Sequence, residues 1–183
     1  RLSLLSAIPP KSPTRSRIPS SCRDGRHGSP RRPEASARVV RLRFSIGRTI
    51  ARVAGRLAQA TPEQLRVVVE HQPIEVQRPR DVPDRLIGHS AAQTAWAAAG
   101  ADLVMGGHIH LPYVMPLPGL ARPMWAVQAG TAVSLRVRPG VPNSVNLVRW
   151  HAAERACAVE QWDFSAPDQA FVQVRVTRVQ PAR

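Results

Sequence analysis

The chain has 183 residues, with 26 Lys and Arg against 12 Asp and Glu, a formal charge of +14 and 43% hydrophobic residues. Such a length can bury one ordinary core. Two cysteines, Cys22 and Cys157, are too few to form a disulfide scaffold or a zinc ribbon, and read as free thiols of a reducing, cytoplasmic compartment. The charge is unevenly placed: residues 1–56 carry 14 Lys and Arg against Asp24 and Glu34, whereas residues 57–183 carry 12 Arg against 10 acids. A basic face on the second part is thereby excluded.

Opening on Arg1 rather than Met, the sequence reads as a piece of something longer. Its first segment, residues 1–45, is rich in Arg, Ser and Pro and holds no aromatic residue before Phe44. Too little apolar surface is available there to offset the entropy of ordering, so disorder, or sequence foreign to the rest of the chain, is expected. "LSLLSAI" is too short for a membrane span.

Order is expected from residue 46 to 183. In "SIGRTIARVAGRLAQA", Ile50, Val53 and Leu57 share one helical face with Ala54 and Ala58, and Arg52 and Arg56 lie outside it. "ATPEQL" offers Thr61 as cap and Gln64 as its capping-box partner for a short helical turn. The β-branched run Val67–Val69 in "RVVVEHQP" predicts a central strand apolar on both faces, ending at His71 and Pro73. After a polar loop, Ser90 is expected to cap an alanine-rich helix that Gly100 ends in the left-handed conformation, followed by a second short strand at "DLVM". Helix, strand, helix, strand is the order of parallel strands joined by crossovers, hence an α/β fold. From "PMWAVQAG" onward, extended runs predict three or four antiparallel strands, with alternation clearest through Phe171, Val172, Val174, Val176 and Val179. Trp125, Trp150 and Trp162 read as core or strand-pair residues.

Ligands of parallel sheets collect at the carboxyl ends of the strands. His71 falls there, and so do His108 and His110 in "VMGGHIHLPYV". Imidazole is a common metal ligand, and two histidines at i and i+2 on a turn can face two adjacent ions. Gly106 and Gly107 are expected to let the backbone bend sharply and approach closely. By strand alternation Glu70 should point away from His71. His89 reads as a loop or capping residue, His151 as exposed, and Asn143, beside Pro142, as a turn residue.

These residues resemble the calcineurin-like metallophosphoesterases. "GGHIH" is similar to that family's C-terminal Gly-His-x-His motif and "VVVEHQP" to its preceding strand-end histidine, with "QAGTAVS" and "NSVNLV" following in order; the resemblance spans about residues 46–165. It implies the C-terminal part of an α/β/β/α sandwich and a dinuclear centre of two divalent ions of the Mn, Fe or Zn type. His71 and His108 would bind one ion and His110 the other, and a hydroxide between them would attack phosphorus of a mono- or diester.

The family's Asp-x-His, Gly-Asp and Gly-Asn-His segments are not found in residues 1–45; "RDGRHG" sets Asp24 and His27 one residue too far apart. Two dications ~3.5 Å apart repel by very roughly 19 kcal/mol at an effective dielectric of ~20, and neutral imidazoles cancel none of that. With Asp102 at the wrong end of its strand, this chain is expected to hold one ion weakly at most. A phosphoester substrate is the expected partner, and neither nucleic acid nor membrane is. Two alternatives stand beside this reading: an inactive truncated relative, and an Arg-rich binder of nucleic-acid phosphates.

Overall fold

A computed structural model describes residues 3–6 and 46–181. Apart from Ser3–Ser6, the segment expected to be disordered, with Cys22, Asp24 and His27, lies outside them. The chain is α/β, as expected. Its elements are strand β1 (Ser3–Ser6), helix α1 (Ile46–Leu57), β2 (Arg66–Val69), helix α2 (His89–Ala98), β3 (Leu103–Gly106), β4 (Tyr113–Pro116), β5 (Trp125–Gln128), β6 (Ser144–His151), β7 (Ala156–Ser165) and β8 (Ala170–Val179).

The first sheet has the order β1-β2-β3-β5-β4 and the second β6-β7-β8. Strands β1, β2, β3 and β5 are parallel, and β4 runs antiparallel to β5. Side-chain alternation divides the first sheet between two cores. Val68, Val104 and Ala126 face Ile50, Val53 and Leu57 of α1 and Trp96 of α2. Val67, Leu103 and Val127 face Cys157, Val159 and Val179 of the second sheet. Strands that are apolar on both faces are what a doubly covered sheet requires, and each fully buried aliphatic side chain such as Leu103 contributes ~1.5–3 kcal/mol. The described residues thus supply three layers of the expected four-layer sandwich, helices on sheet on sheet. Trp96 ties the helices together by donating its indole N–H to the carbonyl of Ile50, at 3.2 Å.

Several local expectations are met. Ile50, Val53 and Leu57 are the buried residues of α1. Gly100 follows α2 at φ +95°, and the Gln64 side chain accepts from the Thr61 amide at 2.9 Å, closing a turn. Trp125 and Trp150 pack against the inter-sheet core.

Others are corrected. Ser3–Ser6, expected to lack structure, pairs with Arg66–Val69 as a fourth parallel strand, since the outer edge of β2 offers it unpaired backbone groups. The Trp125 run, expected to be antiparallel, lies parallel to β3, and only its other edge takes the antiparallel β4. Helix α2 starts one residue before Ser90, behind Gly88 at φ +82°, with no side-chain cap. In β8, Val174 and Val176 are exposed, because Thr177 and Val179 occupy the face that meets the first sheet. Among the described residues no helix is long and apolar enough to cross a membrane.

Candidate functional site

The ends of β2 and β3 stay in register beyond the strands themselves. Glu70 donates its amide to the Met105 carbonyl at 2.9 Å, and Gly107 donates to the His71 carbonyl at 3.0 Å. His71 is thereby set beside the segment that leaves β3. That segment turns at once: the Ile109 amide bonds back to the Gly107 carbonyl at 2.7 Å around His108 at φ +68°, a γ-turn of the rare positive-φ kind. His110 follows at φ +53°.

The sharp bend was expected of Gly106 and Gly107, and this is corrected. Neither glycine has positive φ; the two histidines take the left-handed conformations themselves. A non-glycine residue held there costs about 1–3 kcal/mol, and such strain collects at functional sites. Gly106 is needed for close approach instead: a Cβ would lie 2.8 Å from Gln128 Oε1 and 3.0 Å from the Gln72 carbonyl. Gly107 has room for one.

The turn is held from outside. Gln128 donates from Nε2 to the Gly107 carbonyl, and Arg138 donates from Nε to the Ile109 carbonyl while its Nη1 pairs with the buried Asp81 at 2.8 Å. Asn143 staples the neighbouring loop by donating to the carbonyls of Thr131 and Ser134, the turn role expected of it.

These supports bring two of the three expected histidines together. His71 Nε2 and His108 Nδ1 are 2.9 Å apart, with the rings edge to face. Two lone pairs do not meet at that distance, so a proton or a cation must lie between them. The second nitrogen of His108 faces Asp84 Oδ1 at 3.7 Å, and Gln72 holds the Asp84 backbone by donating to its carbonyl. His110 is engaged elsewhere: its Nδ1 lies 2.7 Å from the Arg136 carbonyl. A carbonyl only accepts, so Nδ1 carries a proton, the arrangement by which a backbone partner orients a metal-binding imidazole.

Glu70 departs from expectation. Because β2 stops at Val69, strand alternation no longer governs its side chain, and Glu70 lines the same cavity as His71. It is 7% exposed, neither carboxylate oxygen has a hydrogen-bond partner, and burial pushes its pKa up to about 8. The cavity, about 520 Å³, is otherwise walled mainly by apolar side chains, with His71 and His108 at its edge.

Two dications do not fit the described residues. No group of three or more His, Cys, Asp or Glu side chains positioned for a metal ion occurs among them. Asp102, as expected, lies at the far end of β3, where it pairs with Arg122 at 2.8 Å. The His71–His108 pair supplies two of the ligands that one ion needs. Two imidazole nitrogens on one zinc stand ~3.4 Å apart, so the pair would open by about half an ångström and release its shared proton. Of the remaining histidines, His89 turns its Nδ1 toward the Leu86 carbonyl at the start of α2, and His151 is exposed at the end of β6. Sequence reasoning missed Asp84, whose loop spacing matches no motif, and the Glu70 cavity.

No protein-family model matches the chain, and no curated protein matches it. Among solved structures, it is similar to a single mutant of Vps29 from Entamoeba histolytica, at 11% identity and a TM-score of 0.37, over 70% of this chain and 88% of that one. Likeness at that level decides neither family nor activity.

Proposed function

We propose that this chain carries part of the active site of a metal-dependent phosphoesterase, acting on phosphate mono- or diesters. One observation carries the reading: His71 Nε2 and His108 Nδ1 converge to 2.9 Å at the carboxyl ends of two parallel strands. His71 and His108 would hold one divalent ion, with His110 offering Nε2 toward a second whose carboxylate ligands come from outside the described residues. A metal bound there would supply a hydroxide at neutral pH and neutralise charge developing on phosphorus. The chain's own part is positioning: the Arg136 carbonyl holds Nδ1 of His110, Gln128 and Arg138 hold the turn, and Asp84 places a carboxylate 3.7 Å from the outer nitrogen of His108.

A second reading, an inactive truncated relative, is favoured by the lack of a three-ligand cluster among the described residues. Calorimetric titration of the chain with Zn²⁺ and Mn²⁺, beside a phosphodiesterase assay of the complete gene product on a chromogenic diester, separates the two. The phosphoesterase reading requires one ion bound per chain, at least tenfold weaker binding in His71→Ala and in His108→Ala, and metal-dependent hydrolysis by the complete product. Absence of both metal and hydrolysis ends it; metal without hydrolysis selects the inactive relative.

A further inference from the structure

The Glu70 cavity is more than a wall of the histidine site. A buried carboxyl group with no hydrogen-bond partner is costly, more so when charged, and native structures retain such a group where something else supplies its partner. Both Glu70 oxygens are in that condition, in a side chain more than nine-tenths buried. The surrounding surface is contributed by Ile50 of α1, Leu86 and Ile87 of the intervening loop and Trp96 of α2. A cleft of this size whose apolar side chains are joined by a few polar ones, here Glu70 with Thr49, Gln72, His71 and His108, is the usual build of a small-molecule pocket.

The chemistry of the occupant follows by elimination. Two unpartnered oxygens ask for donors: a hydrocarbon supplies none, and a hydroxyl supplies one. An ammonium group offers three donors and the opposite charge. We propose that the cavity beneath α1 is a binding pocket for the ammonium group of an organic ligand, with Glu70 as its counter-ion and the ligand's apolar body against Ile50, Leu86 and Trp96. His71 and His108 border the same cavity. On the phosphoesterase reading, the pocket therefore takes the organic portion of the ester, and the substrate class is a phosphoester of an amine-bearing, partly apolar alcohol.

The test uses the whole chain, without added metal and with probes that contain no phosphate, so that its failure and failure of the phosphoesterase reading are independent. Phenethylammonium and its neutral counterpart 2-phenylethanol are titrated calorimetrically, with tryptophan fluorescence reporting contact with Trp96. The ammonium should bind at least tenfold more tightly than the alcohol. Glu70→Gln should remove that preference while leaving alcohol binding within threefold. Should Glu70→Gln not fold, Ile87→Trp, at a position 69% exposed, narrows the mouth and should weaken both probes at unchanged circular dichroism. Equal affinity for amine and alcohol, a full amine preference in folded Glu70→Gln, or unweakened binding in Ile87→Trp would overturn the proposal.

Discussion

The two ends of the central parallel strands are built on opposite terms. At the amino end of β3, Asp102 is 1% exposed and fully satisfied: one oxygen accepts from the Arg66 amide at 2.9 Å, the other from Arg122 at 2.8 Å. At the carboxyl end, Glu70 is nearly as buried with neither oxygen satisfied, and His108 and His110 hold left-handed backbone. The sheet and its two cores are common to both ends, so burial alone does not account for the difference. The amino end is arranged for stability; the carboxyl end keeps polar capacity and strain that the rest of the fold offsets, the pattern expected where chemistry is done.

The contrast can be broken first by pH. Glu70 titrates near pH 8 when folded, against an ordinary value of 4.5. The folded state therefore holds a proton that the unfolded chain has released, and stability falls as pH rises from about 4.5 to about 8. At ~1.4 kcal/mol per pH unit the loss is on the order of 4 kcal/mol. Urea unfolding of the metal-free chain at pH 5 and pH 8.5 should show this drop, and Glu70→Gln should abolish its Glu70-dependent part. An unchanged difference between the two proteins across that range would place Glu70 in water instead.

At the other end, Asp102→Ala should cost about 3–4 kcal/mol, since the Arg66 amide loses its acceptor and Arg122 its carboxylate in one step. Denaturant midpoints measure it, and a loss below ~1 kcal/mol would erase the distinction between the ends. Gly106→Ala should cost ~2–3 kcal/mol, because the added methyl meets the backbone carbonyl of Gln72, which cannot swing aside as a side chain would. Gly107→Ala, with no atom closer than 3.7 Å, should cost less. The smallest effect sharpens the comparison most. His108→Gly should stabilise the fold by about 1 kcal/mol by releasing its positive φ while weakening metal binding at least tenfold. Thermal unfolding and metal titration of that one variant would show stability and site pulling apart.

Much of the scaffold was legible in the sequence because period and punctuation are local. The 3.6-residue spacing of Ile50, Val53 and Leu57 found α1, the valine run found β2, and Gly100 marked the end of α2. What lay beyond reach depended on partners distant in sequence. Alternation in "WAVQ" says strand but not which neighbour it takes, so β5 was expected to be antiparallel. Arg and Ser around "SLLS" masked β1, whose pairing is decided by the open edge of β2 rather than by its own composition. At the candidate site, the residue types singled out His71, His108 and His110, and the strand-end rule set them beyond β2 and β3, where only His71 and His108 meet. The division of labour between Gly106 and His108 turned on Gln128, and the direction of Glu70 on where β2 stops; neither is written in local spacing.

Gln128 also reaches the other way. Its side chain holds the Gly107 carbonyl, while its own carbonyl accepts from Asn146 of β6 at 3.0 Å. Two links thus join the second sheet to the bend that presents the imidazoles, and β6 acts as a footing beneath them. A shift in how that strand is seated, even one provoked far out on the second sheet, would arrive at His108 as a change of aim, so that the meeting of the two imidazoles can be adjusted by residues that never touch them.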